Sequence, residues 1–531
     1  MKISISGVRG IFGNDLGPKD ILRFTTNFSS LIKSGKCVIG SDTRPTGKII
    51  MNYVTAALMQ CGIKVYNLGI VPTPVVFKEA RKYGSGIIIT SSHNPLEWNG
   101  LKFILEGRGI NEKELEIISN DQKRSVSTIG NESFVESDYI SESTKIIGDV
   151  KGNPKVTIDV GGGAAKNFAK TLLERIGCEV NTINENLLTS SRGPDPTVET
   201  LDELIKNTKD IGFAYDLDSD RVVIVKDGKK KSPDITLSMG VVKSMQLGYK
   251  KFVLSIDSSM GIEKYIKKNG GTVWRSRVGE ANVIQTILEK NADAGGEGSS
   301  GGFILPEHNF CRDGLLTSGL IATMLDQDFS EHLNYFEQYK QSREKISFPA
   351  KFHDKIIEKL ESKLHDKYQI ESLDGIKLKI DENSILIVRG CGPIGYPGSA
   401  EVINMQPPDR LLKRGINTLP TLGDGRQSGT SASPSILHVS PESAAGGDLG
   451  VVKTYDRIKI DLNKRRVDLL ISQAEFKKRR KNRKKFIINN QTPWQEIFRN
   501  TVTQVDDGAC INSRGKYLDV SHTKGLPRDS H

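Results

Sequence analysis

The chain opens on an alternation of apolar and polar positions, Ile3-Ser4-Ile5-Ser6, leading into Gly7-Val8-Arg9-Gly10. A period of two predicts a strand with one buried face. Lys36 to Ile39 is a short apolar run, and Ser41-Asp42-Thr43-Arg44-Pro45-Thr46-Gly47 behind it reads as a turn that opens a helix. That helix, Ile49 to Cys61, has apolar residues at helical spacing. Lys64 to Leu68 predicts a further strand. Val71-Pro72-Thr73-Pro74 then starts a helix, with proline tolerated in its first turn. Ile87-Ile88-Ile89, opened by Gly84 and Gly86, is a buried β-branched strand. Strand and helix in alternation imply α/β architecture with a largely parallel sheet.

The same rhythm returns further along. Val156 to Asp159 is a strand that ends in Gly161-Gly162-Gly163-Ala164-Ala165 and a helix. Such glycine runs serve ligands and tight turns alike. Ile211 to Tyr215 enters a loop with Asp216, Asp218 and Asp220, and Val222 to Val225 leaves it. Val253 to Ile256 is a strand of a third segment, which reaches Gly295-Gly296-Glu297-Gly298-Ser299-Ser300-Gly301-Gly302.

Three of these strand ends carry candidate chemistry. Thr90-Ser91-Ser92-His93-Asn94-Pro95 puts hydroxyls at the carboxyl end of a buried strand, where open α/β sheets place ligands; an ordinary polar strand-to-helix loop has the same composition. Aspartates at i, i+2 and i+4 fall on one side of extended backbone. So close together they repel unless a cation sits among them, and hard oxygen donors suit Mg²⁺. A solvated acidic turn is the alternative. One carboxylate among glycines, Glu297, marks backbone that approaches a ligand closely and an acceptor for vicinal sugar hydroxyls.

A chain of 531 residues has room for three or four domains. No run of about 18 apolar residues predicts a membrane span, and the start has no signal-peptide core. The six cysteines, Cys37, Cys61, Cys178, Cys311, Cys391 and Cys510, contain no C-x-x-C pair. This spacing predicts a cytoplasmic protein, and neither a disulfide framework nor a zinc or iron–sulfur site made by this chain alone. The net charge of +11 sits largely in Lys477 to Lys485. No aromatic residues interleave with that run, so a solvated helix face is expected rather than nucleic-acid binding.

The loop Thr90-Ser91-Ser92-His93-Asn94-Pro95, with Asn99-Gly100-Leu101-Lys102, resembles the active-site loop T-A-S-H-N-P…N-G-x-K of the α-D-phosphohexomutases, the superfamily of phosphoglucomutase, phosphomannomutase and phosphoglucosamine mutase. Ser91 replaces the usual alanine. The resemblance makes Ser92 the serine that carries the transferable phosphate, with His93 beside it a further catalytic residue, and Lys102 a candidate for acid/base work. Arg9 and Arg44 match arginines of S-G-x-R-G and D-x-R-x-S/T-G; Arg9 would face the reacting phosphate, and Arg44 is either a second such group or a structural ion pair. Asp216-Leu217-Asp218-Ser219-Asp220-Arg221 resembles the metal loop D-G-D-x-D-R, with Leu217 in place of glycine. This implies Mg²⁺ on Asp216, Asp218, Asp220 and Ser92, and Arg221 near substrate. Arg277 resembles a phosphate-proximal arginine, Glu297 and Ser299 the sugar loop G-E-x-S/N-G, and Arg312 of Arg312-Asp313-Gly314 a further substrate-binding residue. The GGEGxxGG form looks most like the phosphoglucosamine/phosphomannomutase branch. The implied reaction interconverts hexose 1- and 6-phosphates, with a hexose 1,6-bisphosphate as intermediate and activator. The partner is a phosphorylated hexose, and the oligomeric state stays open.

After Arg389 the resemblance changes. A phosphohexomutase continues R-P-S-G-T-E-P, the clamp for the non-transferring phosphate; here Arg389-Gly390-Cys391-Gly392-Pro393 follows. Asn404-Met405-Gln406-Pro407-Pro408-Asp409, Gly423-Asp424-Gly425-Arg426-Gln427-Ser428-Gly429-Thr430 and the end Pro527-Arg528-Asp529-Ser530-His531 resemble the carboxyl-terminal part of the dihydroxy-acid and sugar-acid dehydratases. There Glu401 would ligate a metal and Ser428 would be a base. The cysteine surroundings of their iron–sulfur cluster are missing, so dehydration by this chain alone is not expected. The expected fold is three mixed-sheet α/β phosphohexomutase domains, 1–145, 146–248 and 249–370, followed by a β-rich swivel-type domain, 371–531. The alternative is a dehydratase fragment fused to a non-catalytic, sugar-phosphate-binding mutase remnant.

Overall fold

The structure, a computed structural model, describes residues 1–120, 128–325, 329–339, 384–395, 416, 418–425, 434–454, 456–483, 486 and 492–511. The chain divides into two compact units, Met1–Gln341 and Ser342–His531.

The first unit holds three sheets. The first contains β1 (Lys2–Ser4), β2 (Gly7–Ile11), β3 (Lys36–Ser41), β4 (Lys64–Ile70), β5 (Ser85–Ile89), β6 (Trp98–Leu105), β7 (Arg108–Gly109) and β8 (Glu132–Phe134). Their order is β1-β2-β6-β5-β3-β4-β8, with β7 on β6. Strands β5, β3, β4 and β8 are parallel, while β6 runs antiparallel to both its neighbours, β5 and β2. The sheet is therefore mixed, as the family resemblance implies, where strand and helix alternation by itself suggests a largely parallel one. Strand β5 shows why its sequence is apolar throughout. Ile87 and Ile89 enter one core cluster and Ile88 the other, all fully buried. A strand covered by helices on both faces has no polar side.

The second sheet runs β10 (Glu179–Ile183), β9 (Lys155–Asp159), β11 (Ile211–Tyr215), β12 (Val222–Lys226) and β13 (Lys229–Lys230); the third runs β15 (Thr272–Ser276), β14 (Lys251–Ser255), β16 (Ala294–Glu297) and β17 (Gly302–Ile304). In all three sheets the candidate loop joins a strand of the parallel core to its antiparallel neighbour: β5 to β6, β11 to β12, and β16 to β17. Each loop thus lies at the carboxyl end of a core strand, where its polar groups escape the apolar layers.

The elements of the first unit are welded by a buried polar cluster around His308. Tyr139 donates to Asp313 Oδ1 at 2.6 Å, and the Ser143 hydroxyl lies 3.0 Å from His308 Nε2. Lys78 Nζ is 3.4 Å from Nδ1, Asp313 Oδ2 is 3.9 Å from Nε2, Lys78 pairs with Glu142, and Arg81 donates to the His308 carbonyl. Burial, reinforced by Lys78 and Arg81, pulls the His308 pKa down to about 3. An unfolded chain binds that proton near pH 6.5, so the unfolded state gains protons first as pH falls and stability declines from there downward. Between pH 6.5 and pH 5 the loss is about 2 kcal/mol. Burial raises the Asp313 carboxyl, which contributes with the opposite sign. Comparing His308→Gln with the unaltered chain by thermal unfolding at pH 7 and pH 5 isolates the histidine: the variant should lose less of its melting temperature, and an equal loss would exclude His308 as the source.

In the second unit β18 (Leu386–Val388), β19 (Thr421–Gly423) and β20 (Ser435–Ile436) form a parallel sheet, and β21 (Ile458–Asp461) pairs with β22 (Arg466–Leu469) as a hairpin. Buried Asp424 accepts from the amides of Gly390, Cys391 and Ser443, and buried Glu442 from those of Ile394 and Gly395. Much of the basic run lies on the helix Gln473–Lys481, with Lys477, Lys478, Arg480 and Lys481 exposed. Glu401, Ser428 and most of 371–390 lie outside the described residues. Among the described residues no helix is long and apolar enough to cross a membrane.

Candidate active site

The Ser92 loop is held from beneath by a buried arginine. Arg44 donates Nε to Asp42 at 3.1 Å, Nη1 to the carbonyls of Pro95 at 2.5 Å and Trp98 at 2.8 Å, and Nη2 to those of Ser92 at 2.6 Å and Asn94 at 2.7 Å. All five of its donors are engaged inside the protein, so Arg44 is a loop anchor and not a phosphate contact. Thr90 donates to Asp42 Oδ2 at 2.6 Å and accepts from the Ser92 amide at 2.8 Å. Between these ties Ser92 sits at φ +51°, a left-handed conformation unusual for serine. Ser91, where alanine is usual, accepts from Asn94 Nδ2 at 2.9 Å and so adds a brace. Beside the loop, Gly100 is required because a Cβ there would lie 2.2 Å from the Val8 carbonyl oxygen, where β2 and β6 pair.

The Ser92 hydroxyl donates to Asp216 Oδ2 at 3.0 Å and lies 3.3 Å from His93 Nδ1. Burial and Arg221 pull the His93 pKa down to about 4, against Asp195 and Asp220. The imidazole is neutral at pH 7.

Asp216, Asp218 and Asp220 are fully buried, and one oxygen from each lies within 4.8 Å of the others. The loop is a turn, not the extended segment expected from its i, i+2, i+4 spacing. Ser219 takes φ +61° and its amide donates to the Asp216 carbonyl at 3.1 Å. A single left-handed residue folds the three carboxylates inward, which an extended backbone does not do. Leu217 keeps negative φ, so it fits without the freedom of the glycine it replaces. It rests instead on Gly163, where a Cβ would lie 2.8 Å from Leu217 Cα and carbonyl oxygen. The glycine run after β9 is thus a packing turn beneath the aspartate loop.

Burial, then Asp218 and Asp220, raise the Asp216 pKa, whereas Arg312, Lys102 and Arg221 overcome burial at Asp220 and lower it. Lys102 Nζ stands 3.0 Å from Asp220 and 3.5 Å from Asp218. Burial opposes its charge, but the two aspartates outweigh burial and hold its pKa above the ordinary value. Asp218 Oδ1 and Asp220 Oδ1 have no hydrogen-bond partner among the described residues. Two orphaned buried carboxylate oxygens beside a third carboxylate fit the donor set of a hard divalent cation.

Arg9 reaches this place from β2. Its guanidinium is desolvated, lies within the field of Asp218 and Asp220, and donates to the Ser6 carbonyl at 3.4 Å. Arg221 leans on Asp195 at 3.4 Å, while its amide donates to Asp216 Oδ1 at 3.1 Å.

The glycine-rich loop brings Glu297 to the same cluster through Arg312. That guanidinium contacts Glu297 at 2.7 Å, Asp220 at 2.7 Å and Glu280 at 3.1 Å. Arg312, expected to meet substrate, is occupied by three carboxylates and ties the aspartate loop to the glycine-rich loop. Glu297 Oε1 accepts from the Gly279 amide at 2.7 Å, and Ser300 turns back onto Glu297. Ser299 is half-exposed, and Arg277 is exposed at the end of β15. Thr73, Asp195 and Asp42 also touch this machinery. Thr73 and Asp195 make contacts with distant segments, as with Thr73 to Asp218 across 145 positions, and no local pattern marks them, whereas Asp42 stands in the D-x-R-x-S/T-G signature beside Arg44.

Residues 1–127, 137–229 and 235–339 match the families described as Phosphoglucomutase/phosphomannomutase, alpha/beta/alpha domains I, II and III. Residues 357–509 match Dihydroxy-acid/6-phosphogluconate dehydratase C-terminal. The chain is 31% identical over 420 residues to a "Probable phosphoglucosamine mutase" of Methanothermobacter thermautotrophicus, across 74% of this chain and 91% of that protein. It is 54% identical over 154 residues to D-xylonate dehydratase of Caulobacter vibrioides, across 29% of this chain and 26% of that protein. In fold it is similar to a phosphoglucomutase/phosphomannomutase family protein of Burkholderia thailandensis, with a TM-score of 0.61 at 21% identity over 72% of this chain and 90% of that one. The three sheets, the loops they present and these matches together establish that the chain belongs to the phosphohexomutase family, with a dehydratase-type carboxyl-terminal domain.

Proposed function

We propose that the chain interconverts the 1- and 6-phosphates of a hexosamine, glucosamine first, through a phosphoserine at Ser92. The observation that carries this reading is the Ser92 hydroxyl, raised into a left-handed turn and aimed at Asp216 of a buried three-aspartate cluster. The family relation and the phosphoglucosamine mutase names of its relatives support the substrate class.

Asp216, Asp218 and Asp220 would hold Mg²⁺, which when bound supplies positive charge at the phosphate in flight. Phospho-Ser92 gives its phosphoryl group to the free sugar hydroxyl at one end of the substrate. The Oγ–P bond breaks, a sugar O–P bond forms, and the proton lost by the sugar hydroxyl ends on Ser92 Oγ. Lys102 and Arg9 offset charge on the phosphoryl oxygens. Glu297 and Ser299 accept from and donate to sugar hydroxyls, and exposed Arg277 meets the phosphate that stays behind. The bisphosphate reverses, and Ser92 is rephosphorylated from the other end.

The test is turnover of glucosamine 1-phosphate against glucose 1-phosphate, each primed with its 1,6-bisphosphate. A site that recognises the amino group should favour glucosamine by about tenfold or more in kcat/KM, and a chelator should remove both activities. A preference for glucose would overturn the hexosamine assignment, and activity that survives the chelator would overturn the metal.

A further inference from the structure

We propose that Thr73 is a positioning residue for the Asp218 carboxylate, the tie that holds the aspartate loop to the start of the helix Thr73–Tyr83 in both phosphorylation states. The proposal rests on the reading of Asp216, Asp218 and Asp220 as ligands of a divalent cation.

Thr73 is fully buried at the start of the helix Thr73–Tyr83. Its hydroxyl donates to Asp218 Oδ2 at 2.6 Å and its amide to the Asp218 carbonyl at 2.8 Å. The pair of bonds fixes both the backbone and the side-chain rotation of one aspartate. Oδ2 is taken, which leaves the unpartnered Oδ1 as the atom offered to a cation. A carboxylate whose rotation is set in advance loses less freedom when it takes a metal.

Among the described residues, two other side chains of the first sheet and its loops bond the aspartates, and neither gives a constant tie. The Ser92 hydroxyl donates to Asp216 Oδ2. Once Oγ carries a phosphoryl group it has no proton to donate, so that bond is absent in the phosphoenzyme. Lys102 pairs with Asp218 and Asp220, but its ammonium and a divalent cation repel each other among the same oxygens. The Thr73 bonds carry no net charge on the donor side and involve no atom that reacts.

The experiment is direct binding of Mn²⁺ by calorimetry to the full chain, unaltered and as Thr73→Val, Thr73→Ser and Thr73→Cys. Valine keeps the shape and removes the hydroxyl, so metal affinity should fall about 10–100-fold. Serine should bind as the unaltered chain does. Turnover at saturating metal should recover in Thr73→Val, with the deficit in the metal concentration required, a split that a merely structural defect does not produce. Unchanged Mn²⁺ affinity in a folded Thr73→Val overturns the proposal. If valine prevents folding, the comparison passes to cysteine, a poor donor of similar size, and equal affinity of the cysteine and serine variants overturns it instead. If the unaltered chain binds no Mn²⁺, the metal reading fails and takes this proposal with it. Binding by the unaltered chain without any difference among the variants overturns the positioning role alone.

Discussion

Replacing Ser92 by alanine should abolish phosphate uptake and lower kcat by about 10⁴–10⁶-fold, the scale on which enzymes lose rate when a covalent nucleophile is removed. The argument begins with the strand. Ile87 to Ile89 are buried on both faces and fix where the chain leaves the sheet. Arg44 then collects four carbonyl oxygens of the following turn, and Ser92 is forced to φ +51° with its hydroxyl on the Asp216 carboxylate. No neighbouring hydroxyl substitutes for it: Ser91 Oγ accepts from Asn94, and Thr90 Oγ1 is bonded to Asp42 and to the Ser92 amide. Intact mass after incubation with glucosamine 1,6-bisphosphate checks this. The unaltered chain should gain one phosphate and Ser92→Ala none. Phosphate retained by the variant would place the acceptor elsewhere. Mn²⁺ binding to Ser92→Ala should persist, because the aspartate loop keeps its ties to Thr73, Lys102 and Arg312.

How far the sequence alone leads depends on whether a feature is local. Ile87–Ile89 and the hydroxyls behind them are contiguous, so strand and loop are both legible. The three aspartates are legible as a cluster, yet their spacing suggests extended backbone, and only the left-handed turn at Ser219 shows how they converge. The antiparallel pairing of β2 with β6, which makes the first sheet mixed, depends on tertiary register and leaves no mark in the hydrophobic pattern.

Charged groups are the hardest to place from sequence, because their role depends on what neutralises them. Arg44, Arg312 and Arg9 look alike in a motif. In the fold Arg44 is spent on carbonyls and Arg312 on carboxylates, while Arg9 keeps a desolvated guanidinium with a long hydrogen bond to the Ser6 carbonyl. Desolvation without saturation separates a group poised for an anion from one that braces the protein. Thr73 adds the complementary case, a neutral residue whose place in Val71-Pro72-Thr73-Pro74 announces only a helix start, and whose hydroxyl ends on Asp218.

Turnover by the chain as it stands should be poor, and exchange of its carboxyl-terminal unit should raise kcat/KM by about 10²–10⁴-fold. A bisphosphate that reverses must be held at both ends. On the proposed reading Ser92, the aspartates and Arg9 would address one end, and Arg277 would give the other a single contact. In phosphohexomutases an arginine, a serine and a threonine that follow the position of Arg389 address the other, and here the dehydratase-type sequence stands there. Arg389 itself donates to the carbonyls of Gly450 and Val452 within its own unit. Each lost charge-assisted bond is worth about 1.5–3 kcal/mol, and the loss of two or three with the orientation they provide sets the range. The groups that accept phosphate and metal all precede residue 341, so Ser92 phosphorylation and Mn²⁺ binding should be intact in the same preparation. The experiment replaces residues 390–531 with the fourth domain of a phosphoglucosamine mutase and compares steady-state kinetics. A large gain with unchanged phosphorylation supports the missing clamp. Equal kcat/KM before and after the exchange would mean that the dehydratase-type domain supplies a phosphate clamp of its own, and Arg426, in Arg426-Gln427-Ser428-Gly429-Thr430, would then be the first residue to replace.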